Sequence, residues 1–147
     1  MKYDAIIIGF GKGGKTLAGA LAKQGKKVAL IEKSAQMYGG TCINVGCIPS
    51  KSLVTSAKES AKHADEKKKK KAALYANAIA EKIRVTTLLR GKNFDKLDSL
   101  DNVKIYNGLA SFVSNTEVQV QTAAETFVLT GENIFINTGS TPVLPPI

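Results

Sequence analysis

The chain has 147 residues, of which 44% are hydrophobic and 22% are charged, and its net charge is +9. This composition predicts one ordinary globular domain with a real core, and it excludes a chain that is disordered throughout. No window has the length of a membrane span and the start lacks a secretory signal pattern, so we expect a cytoplasmic protein without a membrane partner.

The first segment of the chain carries the pattern of a dinucleotide-binding unit. A short apolar run at residues 5–8 predicts a buried parallel strand, and a glycine-rich turn follows it at once. Residues 15–25 have apolar positions at helical spacing and end in a glycine, and a second strand then ends in Glu32. The glycines of the turn are Gly9, Gly11 and Gly14. Strand, tight turn, helix, strand and acid together predict nucleotide binding.

Each glycine of this turn has a predicted task. Gly9 makes the turn, Gly11 lets a pyrophosphate approach the backbone, and Gly14 packs the helix on the strand. The pyrophosphate would lie at the helix N-terminus, and Glu32 would accept hydrogen bonds from a ribose. The alternative is a glycine turn that merely packs. The pattern by itself does not separate NAD from FAD.

The only two cysteines, Cys42 and Cys47, lie five positions apart in "GGTCINVGCIPSK". A structural disulfide is not expected in a reducing compartment, and so short a loop would stabilise the fold little. A zinc site needs about four ligands, and the only other imidazole or thiol is His63, so no metal site is expected. We therefore predict a redox-active pair. The alternative is that both cysteines are small buried apolar residues.

The residues around the second cysteine favour reactive thiols. Gly46 relieves backbone strain in a short disulfide loop, and Pro49 with Ser50 predicts a helix start just after the pair. Thiolates near the positive end of a helix are stabilised, so we expect lowered thiol pKa values. Lys51 adds a nearby cation.

A lysine-rich stretch follows the cysteine motif. Apolar residues at helical spacing from Ala72 to Ile83 predict a long helix that ends at Gly91, with an interruption near the lysines. The run at residues 67–71 raises a nucleic-acid hypothesis, which we set aside because no aromatic residues are interleaved with it. His63 stands among charges and is interpreted as a surface residue.

From residue 103 the apolar period changes to two. Residues 102–130 alternate apolar and polar side chains between turn residues, which predicts a small antiparallel meander. The unbroken apolar run at 133–137 predicts a buried strand that returns to the parallel sheet. Thr138 and Gly139 follow that strand directly.

Three motifs together resemble one family. "GFGKGG" with Glu32, "GGTCINVGCIPSK" and "IFINTGSTPVLPPI" are similar to the N-terminal part of the class I pyridine nucleotide-disulfide oxidoreductases, the group of glutathione reductase, dihydrolipoamide dehydrogenase and mercuric reductase. The resemblance covers essentially the whole chain. The wording of the first two motifs is similar to bacterial flavoprotein reductases that defend against reactive chlorine species and hypothiocyanous acid.

The resemblance implies the fold and its division. It implies an α/β fold: a Rossmann-like FAD-binding domain with a parallel sheet, a helical insertion after the cysteines and a small antiparallel β-meander. The expected parts of domain 1–147 are a Rossmann unit with the redox motif and helices (1–101), the meander (102–130) and the return strand (131–147). The family's nicotinamide-nucleotide and dimer-interface domains have no counterpart here, so the resemblance implies a truncated FAD domain that is inactive alone.

The resemblance also implies the chemistry. NADH or NADPH reduces FAD, which passes two electrons to the cysteine pair and on to a disulfide or oxidant substrate, in a full-length homodimer. Cys47 is implied to be the charge-transfer thiol nearest the flavin, Cys42 the interchange thiol, and Lys51 a residue close to the flavin, while the backbone near Ala110 contacts the adenine. The implied cofactor-binding residues are Gly9, Gly11, Gly14, Glu32, Lys33, Gly40, Thr41, Cys42, Lys51, Ala110, Thr138 and Gly139.

Two other functions remain open from the sequence. A stand-alone flavin or nucleotide module that senses thiol redox state would carry the same motifs without turnover. A regulatory interaction protein would use the lysine-rich face and would bind polyanions in a salt-sensitive manner.

Overall fold

The computed structural model describes residues 1–62, 68–141 and 143–146. Its strands are β1 (Lys2–Ile8), β2 (Val28–Glu32), β3 (Val103–Asn107), β4 (Leu109–Phe112), β5 (Glu117–Gln121) and β6 (Thr126–Ile136). Its α-helices are α1 (Lys12–Lys23), α2 (Thr41–Asn44), α3 (Cys47–Ala61) and α4 (Lys68–Asp98), with a single 3₁₀ turn at Ala35–Met37. Within the described ranges these strands form one six-stranded sheet in the order β3-β2-β1-β6-β5-β4, which confirms the expected α/β class.

The strands β1 and β2, in the parallel part of the sheet, are buried on both faces. Its central strand β1 pairs in parallel with β2 on one side and with the second half of β6 on the other. Ile6 and Ile7 are neighbours in β1 that point to opposite faces, and both are fully buried. One face packs against α1 and α4, and the other packs against the antiparallel strands. Burial on both faces explains the unbroken apolar runs of β1 and β2. The prediction of a buried return strand over residues 133–137 is wrong in this respect, because Phe135 and Ile136 of β6 are exposed.

The strand β6 is one continuous element rather than two. Residues 126–130 pair antiparallel with β5, and residues 130–136 pair in parallel with β1. The sequence predicted a meander strand and a separate return strand here. Gly131 lies in the middle and is buried, and a Cβ atom there would be 2.8 Å from Ile6 Cγ1. The glycine that was interpreted as a turn is instead a site of close packing between neighbouring strands.

The strand β3 corrects the predicted meander over residues 102–130. It pairs in parallel with β2, from Val28 opposite Val103 to Glu32 opposite Asn107, and so belongs to the parallel part of the sheet. The chain reaches β3 through α4, and strands joined by a helical crossover lie in parallel. The antiparallel part therefore consists of β4, β5 and the first half of β6.

The helix α4 continues past its predicted end at Gly91. Gly91 is exposed and has open space around it, while Leu97, six residues further on, is buried in the core. This packing offsets the cost of about 1 kcal/mol that a glycine carries inside a helix. His63 and Lys67, and with them the predicted helix interruption, lie outside the described residues. Neither α4 nor another helix of the described ranges is long and apolar enough to cross a membrane.

Candidate functional site

A cavity of about 200 Å³ lies at the carboxyl ends of β1 and β2. Five of the predicted cofactor-binding residues line it: Gly9, Glu32, Lys33, Ala110 and Thr138. Typical pockets for a whole ligand have about 300–1,000 Å³, so this one suits part of a dinucleotide. Its place at the ends of parallel strands is the usual ligand position in open α/β sheets.

Two glycines of the β1–α1 motif (the glycine loop), Gly9 and Gly14, occupy positions that have no room for a side chain. Gly9 has φ +106°, and a Cβ atom there would lie 2.2 Å from the carbonyl oxygen of Asn137. A Cβ atom on Gly14 would lie 2.3 Å from the carbonyl oxygen of Gly9, which brings α1 close to the end of β1. Both positions therefore agree with their predicted tasks in the turn and in helix packing.

The N-terminus of α1 has the features of an anion site. Gly11 is its N-cap and makes no side-chain capping bond, and the first turn holds no acidic residue. The N–H groups and the positive end of the helix dipole suit a pyrophosphate. The donor set and the adjoining cavity thus fit the dinucleotide that the sequence predicts.

Glu32 is buried, with 8% of its surface exposed. Its carboxylate accepts hydrogen bonds from the backbone N–H groups of Phe10, at 2.9 Å, and Ser34, at 3.2 Å. An ionised carboxylate has about four acceptor positions, so it retains capacity for a ribose hydroxyl. Glu32 therefore holds the glycine loop in place while it lines the cavity.

The stretch around the two cysteines, residues 36–47, is called the cysteine segment, and it lies directly against the glycine loop. Gly40 has φ +76°, and a Cβ atom there would lie 2.6 Å from Cα of Gly11. The helix α2 starts at the next residue, Thr41, which is exposed, and carries Cys42. The second thiol belongs to Cys47, the first residue of α3. The structure therefore brings the two motifs of the sequence together.

Both cysteines are free thiols; Cys42 is half-buried and Cys47 is exposed. The pKa of Cys42 is raised, mainly by a hydrogen bond with the Cys47 thiol and less by burial. The nearby positive charges of Lys12 and Lys15 lower it. The lowered pKa predicted for this thiol is therefore wrong. The predicted helix start is also corrected, because α3 begins at Cys47 itself and Pro49 lies within its first turn.

Lys51 and Gly139 are two further predicted site residues that do not line the cavity. Lys51 is exposed one turn after Cys47 and lines a separate shallow depression beside Glu81 and Val85. Gly139 is exposed beyond the end of β6, with φ +74°. The roles of both near the flavin remain predictions.

Asn137 is a residue that the sequence interpretation missed. Its Nδ2 donates to the carbonyl oxygen of Gly9 at 3.1 Å. Cβ atoms built on Gly11 and on Gly13 would each lie 2.9 Å from its side-chain amide. The available signal was a polar residue at the carboxyl end of a buried strand, directly before Thr138. Asn137 supports the glycine loop from the neighbouring strand.

Tyr38 is a second missed residue, just before the cysteine motif. Its ring is buried between Phe10 and Phe94, with centroid distances of 5.1 and 4.8 Å. Its hydroxyl donates to Oδ1 of Asn107 at 2.6 Å, and burial raises its pKa. This buried ring anchors the cysteine segment between the glycine loop and α4.

Comparisons with known proteins agree with this geometry. The family model for pyridine nucleotide-disulphide oxidoreductases matches residues 3–147. The chain is 48% identical over 146 residues to the probable pyridine nucleotide-disulfide oxidoreductase RclA of Escherichia coli, covering 99% of this chain and 30% of that protein. It is 34% identical over 151 residues to dihydrolipoyl dehydrogenase of Geobacillus stearothermophilus, covering 99% of this chain and 32% of that protein.

A solved structure gives the same result. The HOCl-induced flavoprotein disulfide reductase RclA from Escherichia coli, as a Cu(II) complex, superposes with a TM-score of 0.88 at 46% identity. The superposition covers 100% of this chain and 31% of that one. The chain thus spans about a third of the length of the curated relatives that it matches.

Proposed function

Because this chain belongs to the pyridine nucleotide-disulphide oxidoreductase family, we propose that it is the FAD-binding and redox-disulfide part of a flavoprotein oxidoreductase. One observation carries the proposal: Gly40, two residues before Cys42, packs against Gly11 of the dinucleotide loop. A nucleotide cofactor and a thiol pair are useful to each other only when they are neighbours. The family is FAD-dependent with NAD(P)H as donor.

We assign the adenosine half of FAD to the cavity beside Glu32. Glu32 would accept the ribose hydroxyls, and the backbone of Ala110 would contact the adenine, with Lys33 and Thr138 at the rim. The pyrophosphate would lie at the N-terminus of α1, against Gly11. The proposed cofactor-binding residues are completed by Gly9, Gly14, Gly40, Thr41, Cys42, Lys51 and Gly139.

FAD, when bound, supplies a two-electron carrier. The chain itself supplies the dithiol, in which each thiol is within hydrogen-bonding reach of the other. We assign Cys47 to the flavin side and Cys42 to exchange with the substrate, with Lys12 and Lys15 as the cations that favour the Cys42 thiolate. Thiol–disulfide exchange needs a thiolate, so these two lysines promote it.

For the whole protein we propose reduction of a disulfide or an oxidant by NADH or NADPH, in a cytoplasmic homodimer. RclA is described as an HOCl-induced flavoprotein disulfide reductase, and the similarity of this chain to it favours oxidants of the reactive chlorine class. A stand-alone redox sensor is not favoured, since RclA and the dihydrolipoyl dehydrogenases are both named as oxidoreductases.

The test measures the binding of two ligands, and the oxidation of the two thiols, on the purified 147-residue chain. Flavin fluorescence measures FAD binding, calorimetry measures NAD binding, and mass spectrometry follows reversible oxidation of Cys42 and Cys47. Binding of FAD together with formation of the intramolecular disulfide supports the proposal. Tight NAD binding without FAD binding, or two thiols that never form a bond, contradicts it.

A further inference from the structure

Arg90 of α4 donates two hydrogen bonds to the cysteine segment. Its Nε donates to Oδ1 of Asn44 at 2.9 Å, and its Nη1 donates to Oε1 of Gln36. Both acceptors lie in the short stretch that surrounds Cys42, 46 and 54 residues away in sequence. Arg90 therefore links two distant parts of the chain beside the thiols.

Asn44 relays this link to the backbone. Its Nδ2 donates to the carbonyl oxygens of Tyr38, at 3.0 Å, and Gly40, at 2.9 Å. Because Oδ1 accepts from Arg90, the amide can face in only one direction, with Nδ2 toward the two carbonyls. Arg90 thus fixes the orientation of the amide that closes the turn ahead of Cys42.

The helix that carries Cys42, α2, is too short to be stable on its own. α2 has four residues, and its N-cap, Gly40, makes no side-chain capping bond. Isolated helices shorter than about 12 residues are marginal in water, so tertiary bonds determine whether α2 forms. Cys47 stands on a different helix, the 15-residue α3. The separation of the two thiols therefore depends on how α2 is held.

We propose that Arg90 is a positioning residue for the thiol pair, holding α2 through Asn44 so that Cys42 stays in bonding position beside Cys47. This inference rests on the proposed function of the pair. The polar contacts described for Arg90 go to Asn44 and Gln36 and not to a sulfur atom. It acts by geometry, through the effective concentration of one thiol at the other.

The equilibrium with dithiothreitol measures that effective concentration. In the forward step the Sγ–Sγ bond of Cys42 and Cys47 forms, and the S–S bond of oxidised dithiothreitol breaks. The chain loses two electrons and two protons, which appear in reduced dithiothreitol. A variant that lets α2 fluctuate leaves the dithiol intact but makes ring closure less favourable, so the equilibrium constant falls.

The experiment uses the 147-residue chain in dithiothreitol redox buffers, with the disulfide fraction read by alkylation and mass spectrometry. We expect Arg90→Gln to lower the equilibrium constant about tenfold, the effect of losing one charge-assisted hydrogen bond. Tenfold is about 30 mV for this two-electron couple. The matched control is Arg84→Gln, which removes the same charge from α4 at an exposed pair with Glu81 and leaves the constant unchanged.

Further variants keep the test decisive if Arg90→Gln unfolds, which circular dichroism detects. Asn44→Asp retains the acceptor for Arg90 but loses both Nδ2 donors, so it also lowers the constant. Arg90→Lys falls between Arg90→Gln and wild type. In a folded double variant, Arg90→Gln with Asn44→Asp, the two decreases in the equilibrium constant are not additive, because both substitutions break the same chain of hydrogen bonds.

The possible failures are distinguishable. An equilibrium constant within about twofold of wild type for Arg90→Gln, or for Asn44→Asp if the first is unfolded, overturns the role of Arg90 and leaves the proposed function standing. Additive losses in the double variant overturn the path through Asn44. A wild-type chain that forms no disulfide at any buffer ratio overturns the proposed function itself, and with it this inference.

Discussion

Gly40 and Gly11 are in backbone contact: a Cβ atom on Gly40 would lie 2.6 Å from Cα of Gly11, closer than real Cβ atoms come. The two residues belong to the cysteine segment and to the dinucleotide loop. Gly40 cannot gain a side chain without one loop moving relative to the other. The contact thus joins the two parts of the site through the backbone itself.

Gly40→Ala is the first prediction. Gly25 also has a positive φ, +77°, but open space around it, so Gly25→Ala is the control. A strained positive φ costs a non-glycine residue about 1–3 kcal/mol, which both variants incur. Overpacking adds about 1–3 kcal/mol for Gly40→Ala alone. Urea unfolding measures the difference. Equal losses in the two variants would show that the contact is not tight in solution.

The dinucleotide site gives the second prediction. Glu32→Ala removes the proposed ribose acceptor, and Gly11→Val places a side chain where the pyrophosphate would approach. Both weaken FAD binding, and Gly11→Val weakens it more. Titration of flavin fluorescence measures the affinities, with the exposed Glu125→Ala as control. Unchanged affinity in Glu32→Ala would remove the assignment of the cavity to the ribose.

The thiol pair gives a third prediction, on pH. The pKa of Cys42 is raised first by the hydrogen bond that its thiol donates to Cys47, so Cys47→Ala lowers it and Lys15→Gln raises it further. Alkylation of Cys42 by iodoacetamide, followed against pH, moves its midpoint down in the first variant and up in the second. Lys23→Gln, at the other end of α1, leaves the midpoint in place.

The same pKa shift predicts how stability depends on pH. Cys42 keeps its proton to a higher pH in the folded chain than in the unfolded chain, so its contribution is complete below the ordinary thiol pKa. It is lost as pH rises through the raised pKa. Urea midpoints of the reduced chain and of Cys42→Ser, compared across this range, therefore diverge in alkali. Parallel curves would contradict the shift.

The fourth prediction separates the roles of the two thiols. It uses a protein of the relatives' length that carries this chain, loaded with FAD. Cys42→Ser leaves the Cys47 thiolate beside the flavin and gives a long-wavelength charge-transfer band, whereas Cys47→Ser abolishes the band. A band that survives only in Cys47→Ser would reverse the assignment.

The cavity lining shows how much of the site could be predicted from the sequence. Gly9 and Glu32 were predicted from the strand and glycine pattern, Lys33, Ala110 and Thr138 were implied by the family resemblance, and all five line one cavity. The first two could be predicted from the residues because strand ends and glycine turns are local signals. The partner of β3 could not be predicted in the same way, since alternation of apolar residues does not state strand direction.

The supporting bonds of the site were beyond sequence reasoning. Arg90 lies on a helix and is 46 residues from Asn44, and nothing in the local pattern of either residue points to the other. The raised pKa of Cys42 likewise depends on where one thiol points. The motif predicted that the thiols are close but not the direction of this pKa shift.

The continuity of β6 determines how the nucleotide cavity is framed. Its eleven residues extend over about 36 Å, at about 3.3 Å per residue. One end is paired with β5, which in turn carries β4 and Ala110, and the other end precedes Asn137, which holds Gly9. The positions of two parts of the cavity wall, Ala110 and Gly9, thus depend on the same continuous strand. The width between them is determined by hydrogen-bond register, and a slip of β6 by one step would misplace both walls at once.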